Sequence, residues 1–130
     1  MSSVAAGNET AVGTVQLYID GIATGDAAKL EQAFHQEARM YGAVDGQRYD
    51  IPISEMIKMV ESQPADADGS FRATVRDVAE EGDAAIVTIE EEGFWGALSF
   101  VDYFSLARID GSWKIVNKTF AQTGGSLSAG

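Results

Sequence analysis

The stretch from Leu98 to Phe120, LSFVDYFSLARIDGSWKIVNKTF, constrains the fold of this chain more than any other. Apolar and polar residues alternate along it on both sides of Asp110-Gly111, a dipeptide that tolerates the left-handed dihedrals of a two-residue hairpin turn. With Asp110 and Gly111 at the centre of the turn, Arg108 lies opposite Trp113, Leu106 opposite Ile115, Phe104 opposite Asn117 and Asp102 opposite Thr119. Those side chains and Phe100 share one face. It is mostly large and apolar and should look inward, yet Asp102, Asn117 and Thr119 interrupt it at one end. Buried polar groups need partners, so either these three satisfy one another and the backbone, or they line a cavity that receives a ligand or water.

Upstream of the hairpin the periodicity changes. Val12, Val15, Ile19, Ile22 and Ala23 follow helical spacing between Glu9 and Thr24, and Gly25 stops that helix. Asp26 can accept amide hydrogens at the start of a second helix through Ala27, Leu30, Ala33 and Phe34. Ala38 to Val44 reads as a short strand running into the turn Asp45-Gly46, with Gln47 to Asp50 as its return. Pro52 and a capping Ser54 open a third helix carrying Met56, Ile57, Met59 and Val60, which ends before Pro64. Phe71 to Ala79 and Ala84 to Glu91 are two further strands. Three amphipathic helices and a mostly antiparallel, curved sheet make an α+β domain with the helices on one face and a cleft between the layers. The domain should span residues 9–120, with 1–8 and 121–130, small, polar and glycine-rich, as flexible tails.

Composition narrows the class. Among 130 residues, 45% are hydrophobic, which suits one globular domain, and no apolar run approaches the roughly 20 residues of a membrane helix. Twenty acidic residues against nine basic ones give a charge of −11, which repels phosphate backbones and anionic lipid, so neither nucleic acid nor membrane is an expected partner. The first eight residues lack the basic start and apolar core of a secretory signal, and there is no cysteine; both features point to the cytoplasm. One histidine and no cysteine leave no ligand set for structural zinc. Nucleophile-elbow, phosphate-loop and dinucleotide motifs are missing, so the chemistry open to the chain is cofactor-free acid–base work.

Asp102 is the first candidate for such work. Flanked by Phe100 and Phe104, it sits where loss of hydration raises a carboxyl toward a useful base; the competing reading is a structural cluster with Asn117 and Thr119. His35, at the expected end of the second helix, is either a proton shuttle or a helix-end residue bonded to a carbonyl. Tyr18 on the first helix and Tyr41 on the first strand either donate to a ligand oxygen or pack in the core with the hydroxyl at the surface. Trp95, in Gly93-Phe94-Trp95-Gly96, is a lid or stacking surface, or equally a dimer contact. Phe104 and Trp113 complete the aromatic lining expected around a small apolar or aromatic molecule. The other face of the hairpin shows Val101, Tyr103, Val116 and Phe120, with Lys114 and Lys118 as rim charges; so apolar a face implies a back-to-back homodimer.

The order of elements, with Tyr18-Ile19-Asp20-Gly21-Ile22-Ala23-Thr24-Gly25-Asp26, Ala33-Phe34-His35-Gln36-Glu37-Ala38, Phe100-Val101-Asp102-Tyr103-Phe104 and Asp110 through Lys118, resembles the nuclear transport factor 2-like superfamily. That cystatin-like cone fold is shared by ketosteroid isomerase, scytalone dehydratase and polyketide cyclases. Within it the chain looks most like the mostly bacterial group called putative lumazine-binding proteins. The resemblance implies a cone-shaped pocket and an isomerase, cyclase or dehydratase type of reaction, or a non-catalytic binding module. Tyr18 falls where the isomerase has its oxyanion-hole tyrosine. The isomerase's base aspartate has no counterpart, because Met40-Tyr41-Gly42 stands there, and a single His35 cannot supply the dehydratase's histidine pair. If the chain is catalytic, the available groups make Asp102 the base, His35 the shuttle and Tyr18 the donor to a developing oxyanion.

Overall fold

The computed structural model describes residues 5–127. In chain order the elements are α1 (Ala11–Thr24), α2 (Ala27–Ala33), β1 (Phe34–Val44), β2 (Gln47–Pro52), α3 (Ile53–Ser62), β3 (Arg72–Glu81), β4 (Ala84–Phe94), β5 (Leu98–Ile109) and β6 (Ser112–Gly124). The strands form one sheet in the order β2-β1-β6-β5-β4-β3, antiparallel throughout except where β1 lies parallel to β6. The helices cover one face of this open, curved sheet, so the fold is α+β as the periodicities predict. No helix among the described residues is long and apolar enough to cross a membrane.

Local chemistry accounts for the boundaries. Thr10 accepts from the Gly13 amide to start α1, and Gly25, at φ 74°, closes it in a left-handed conformation. A Cβ on Gly25 would lie 2.8 Å from the Val60 carbonyl, so this bend also lets α3 approach. Asp26 caps α2 as expected, through the Lys29 amide. Helix α2 is shorter than the sequence implies: Phe34 is already extended, and His35 belongs to β1. Pro52, not Ser54, precedes the first turn of α3, which has no side-chain cap. Asp110 and Gly111 both have positive φ, 52° and 83°, as the two-residue turn requires.

Residues next to both ends of the expected domain pack against it. Asn8 donates to the carbonyls of Gln32 and Trp113, and its own carbonyl accepts from the Trp113 amide, which ties the residues before α1 to α2 and β6. Strand β6 runs on to Gly124, where Gln122 bridges to Asp45 and the Gly125 carbonyl. The remainder of both expected tails, 1–4 and 128–130, lies outside the described residues.

The hairpin register holds near the turn and then breaks. Arg108 pairs with Trp113 and Leu106 with Ile115, but Ser105 pairs with Asn117, leaving Val116 as an extra residue on β6. This bulge reverses the facing of every later β6 side chain. Phe104 therefore stands opposite Lys118 and Asp102 opposite Phe120. Asn117 and Thr119 turn outward, where they bond to each other, while Lys118 and Phe120 turn into the protein and are 6% and 8% exposed. Phe120 thus leaves the outer face assigned to it, and Lys118 is not a rim charge. Gly42 on β1 makes the room: a Cβ there would sit 2.5 Å from the Phe120 ring.

Candidate functional site

Between the sheet and α1 and α3 lies a cavity of about 50 Å³. Its walls come from α1 (Tyr18, Ile22), α3 (Met56, Met59, Val60), β1 and β2 (Met40, Val44, Tyr49) and the β4–β6 sheet, whose aromatic side is Phe94, Trp95, Phe100 and Phe120. Four polar side chains interrupt this apolar lining: Tyr18, Glu91, Asp102 and Lys118. None is more than 6% exposed.

Strand phase puts them there. Asp102 is inward because Phe100 and Phe104 are, and Glu91 because it continues the alternation Ala85, Val87, Ile89 along β4. Glu91 is paired with Phe100, next to the Ile89–Asp102 pair, so the two carboxyls come from adjacent strands. Tyr18 reaches them from α1: its hydroxyl donates to Asp102 Oδ2 at 3.3 Å, while its ring packs edge-on against Phe34 and Phe104. Lys118 Nζ lies 4.0 Å from the same Oδ2, over the rings of Tyr18 and Phe120 at 5.2 and 5.0 Å, and against the sulfurs of Met40 and Met56 at 3.7 and 3.8 Å.

Protonation follows from this geometry. Burial first, and then the charge of Asp102, pushes the Glu91 carboxyl well above the usual carboxylate range, with Lys118 pulling the other way. Burial also pushes the Tyr18 phenol well up, and the charges of Glu91 and Asp102 add to it, so Tyr18 stays a neutral donor. Among the described residues, Glu91 Oε2 and Asp102 Oδ1 have no hydrogen-bond partner. Glu91 thus keeps its proton. The cluster is completed by Lys118. It has a proton acceptor, a proton donor, a neutral phenol and an amine around one small apolar space.

Of the sequence-predicted residues, the structure brings Tyr18, Asp102 and Trp95 to this cavity. Trp95 is a fixed wall, its indole donating to the Gln63 carbonyl at 2.8 Å and its backbone held at φ 55°. Phe104 is buried behind Tyr18, and Trp113 is buried at the turn end of the hairpin under Arg108; neither lines the cavity. Four others lie elsewhere. Asn117 and Thr119 point away because of the Val116 bulge. Tyr41 pairs with Thr119 on the outer face and is 36% exposed under Arg39. His35 lies where β1 bulges away from β6, in a separate groove with Glu31, Ile57 and Glu61. The sequence reading missed Glu91 and Lys118. The alternation of β4 carried the signal for Glu91; nothing in the sequence marks the bulge that turns Lys118 inward.

Comparison with known proteins agrees with this architecture. Residues 6–121 match the model of the family described as "Putative lumazine-binding". An aldolase, FrzH, of a Cladobotryum species is 26% identical over 112 residues, 86% of this chain and 88% of that one. The solved structure of an NTF2-like protein from Silicibacter pomeroyi superposes with a TM-score of 0.78 at 26% identity, covering 86% of this chain and 92% of the other. One from Methylobacillus flagellatus gives 0.79 at 25% identity, covering 88% and 90%.

Proposed function

Since the chain belongs to the putative lumazine-binding family of the nuclear transport factor 2-like superfamily, we propose that it is a cofactor-free enzyme of the cytoplasm that moves protons on a small carbonyl compound held in the cavity. The observation that carries this reading is the burial of Tyr18, Glu91, Asp102 and Lys118 together against an apolar wall. Asp102 takes a proton from the carbon next to the carbonyl. Tyr18, freed from Asp102 Oδ2 as the proton arrives, donates to the oxygen on which charge develops, and Glu91 returns a proton. Loss of a carbonyl α-proton is also the opening step of an aldol reaction, and the resemblance to an aldolase supports that substrate class.

The test has two stages. A thermal-shift panel of pteridines, flavins, steroids, polyketide-like aromatics and simple ketones finds the ligand class. Exchange of ketone α-protons for deuterium, followed by NMR, then reports the chemistry. Asp102→Asn should slow exchange more than about tenfold. Unchanged exchange removes Asp102 from the role of base.

One observation favours a second reading. A space of about 50 Å³ holds a few waters, against roughly 300–1,000 Å³ in common small-molecule sites. On that reading the chain is a non-catalytic dimeric module, its partner surface being the outer face around Val101, Tyr103 and Val116. Silence across the whole panel, with a stable dimer, would support it.

A further inference from the structure

Lys118 is the residue that the proton-transfer reading leaves without a task. Among the described residues it is the single basic side chain lining the cavity, and its surroundings are unusual for a lysine. Nζ has two thioether sulfurs and two aromatic faces around it, and the Asp102 Oδ2 oxygen is 4.0 Å away, beyond hydrogen-bond reach. Removing a carboxylate and an ammonium from water is repaid only by close, hydrogen-bonded contact, which this pair lacks. Walled by thioethers and rings, with a carboxyl and a phenol beside it, Nζ has the surroundings of a reacting amine rather than of a structural ion pair.

We propose that Lys118 is a nucleophile, and that the substrate is a compact aldehyde or ketone bound through Nζ as an imine. The proposal rests on the carbonyl reading above and names the covalent step. The Nζ lone pair attacks the carbonyl carbon while Tyr18 hydrogen-bonds the carbonyl oxygen. The proton leaving nitrogen and one from Asp102 convert that oxygen to water, and the products are an iminium, an Asp102 carboxylate and one water molecule. The iminium is then the cation beside the carboxyl pair. Asp102 then takes the α-proton, giving an enamine whose carbon attacks a second carbonyl or is protonated again by Asp102. Water adds to the imine carbon, releases the product and restores the lysine.

Propanal and cyclohexanone are the probes, with cyanoborohydride to reduce any imine and peptide mass spectrometry to locate it. An ordinary lysine is uncharged in roughly one molecule in a thousand at pH 7. Lys118 should therefore be alkylated at least about tenfold faster than Lys29, Lys58 or Lys114, despite its burial. Labelling of Lys118 no faster than these internal controls overturns the proposal. A second measurement separates its failure from that of the carbonyl reading. If wild type exchanges ketone α-protons and folded Lys118→Arg does so equally, the imine is refuted and proton transfer stands. Selective labelling without exchange keeps the nucleophile and refutes proton transfer; neither labelling nor exchange refutes both.

Discussion

At the scale of single residues, Asp102 and Tyr18 were legible in the sequence and Glu91 and Lys118 were not. The neighbours Phe100 and Phe104 fix the phase of Asp102 on an uninterrupted stretch of β5, so alternation alone sends it inward. Glu91 obeyed the same rule, but it stands in a run of three glutamates whose composition reads as surface. The retained proton of Glu91 has a measurable consequence. Both the unfolded and the folded chain carry that proton well below the ordinary carboxyl value; as pH rises, the unfolded chain releases it first and the folded one does not. Stability from this group is therefore complete in acid and falls as pH climbs toward the raised folded value. Glu91→Gln has no such proton, so urea denaturation should show it gaining on wild type by roughly 1 kcal/mol or more between about pH 5 and about pH 8. A difference that does not change with pH would place no retained proton on Glu91.

Elements were read more reliably than the contacts between them. Capping by Asp26, the glycine stop at Gly25 and the Asp110-Gly111 turn follow from local backbone chemistry, and all three stand. The bulges are different, because an inserted residue is decided by what the neighbouring strands require. Val116 carries no glycine or proline signal, and the departure of β1 from β6 that removes His35 leaves none either. Deleting Val116 would remove the bulge while keeping Asn117 opposite Ser105, so Lys118 and Phe120 should still face inward. That variant should stay folded, and a loss above roughly 3 kcal/mol in chemical denaturation would show that the fold requires the bulge itself. Gly42→Val tests the same packing from β1. Its side chain would meet the Phe120 ring, and a thermal unfolding curve should report overpacking of about 1–3 kcal/mol. An unchanged midpoint would mean that the ring moves aside freely.

On the scale of the molecule, one sheet face is committed to the helices and the other displays Tyr41, Ile86 and Tyr103, each at least 36% exposed. Sedimentation should find a dimer, and Tyr103→Glu should dissociate it without unfolding the subunit; a wild-type monomer at high concentration would leave that face for another purpose. The inward face has its own consequence, drawn from the side chains of Met40, Met56 and Met59. Unbranched thioethers rearrange at little cost, so the interior can widen around guests of differing outline without disturbing the strands behind it. Shape would then discriminate poorly among guests, and choice would fall to whether a molecule offers a reactive carbon and an acceptor oxygen where the buried polar quartet stands. A chain of this kind would tolerate drift in the size of its substrate far better than drift in its functional group.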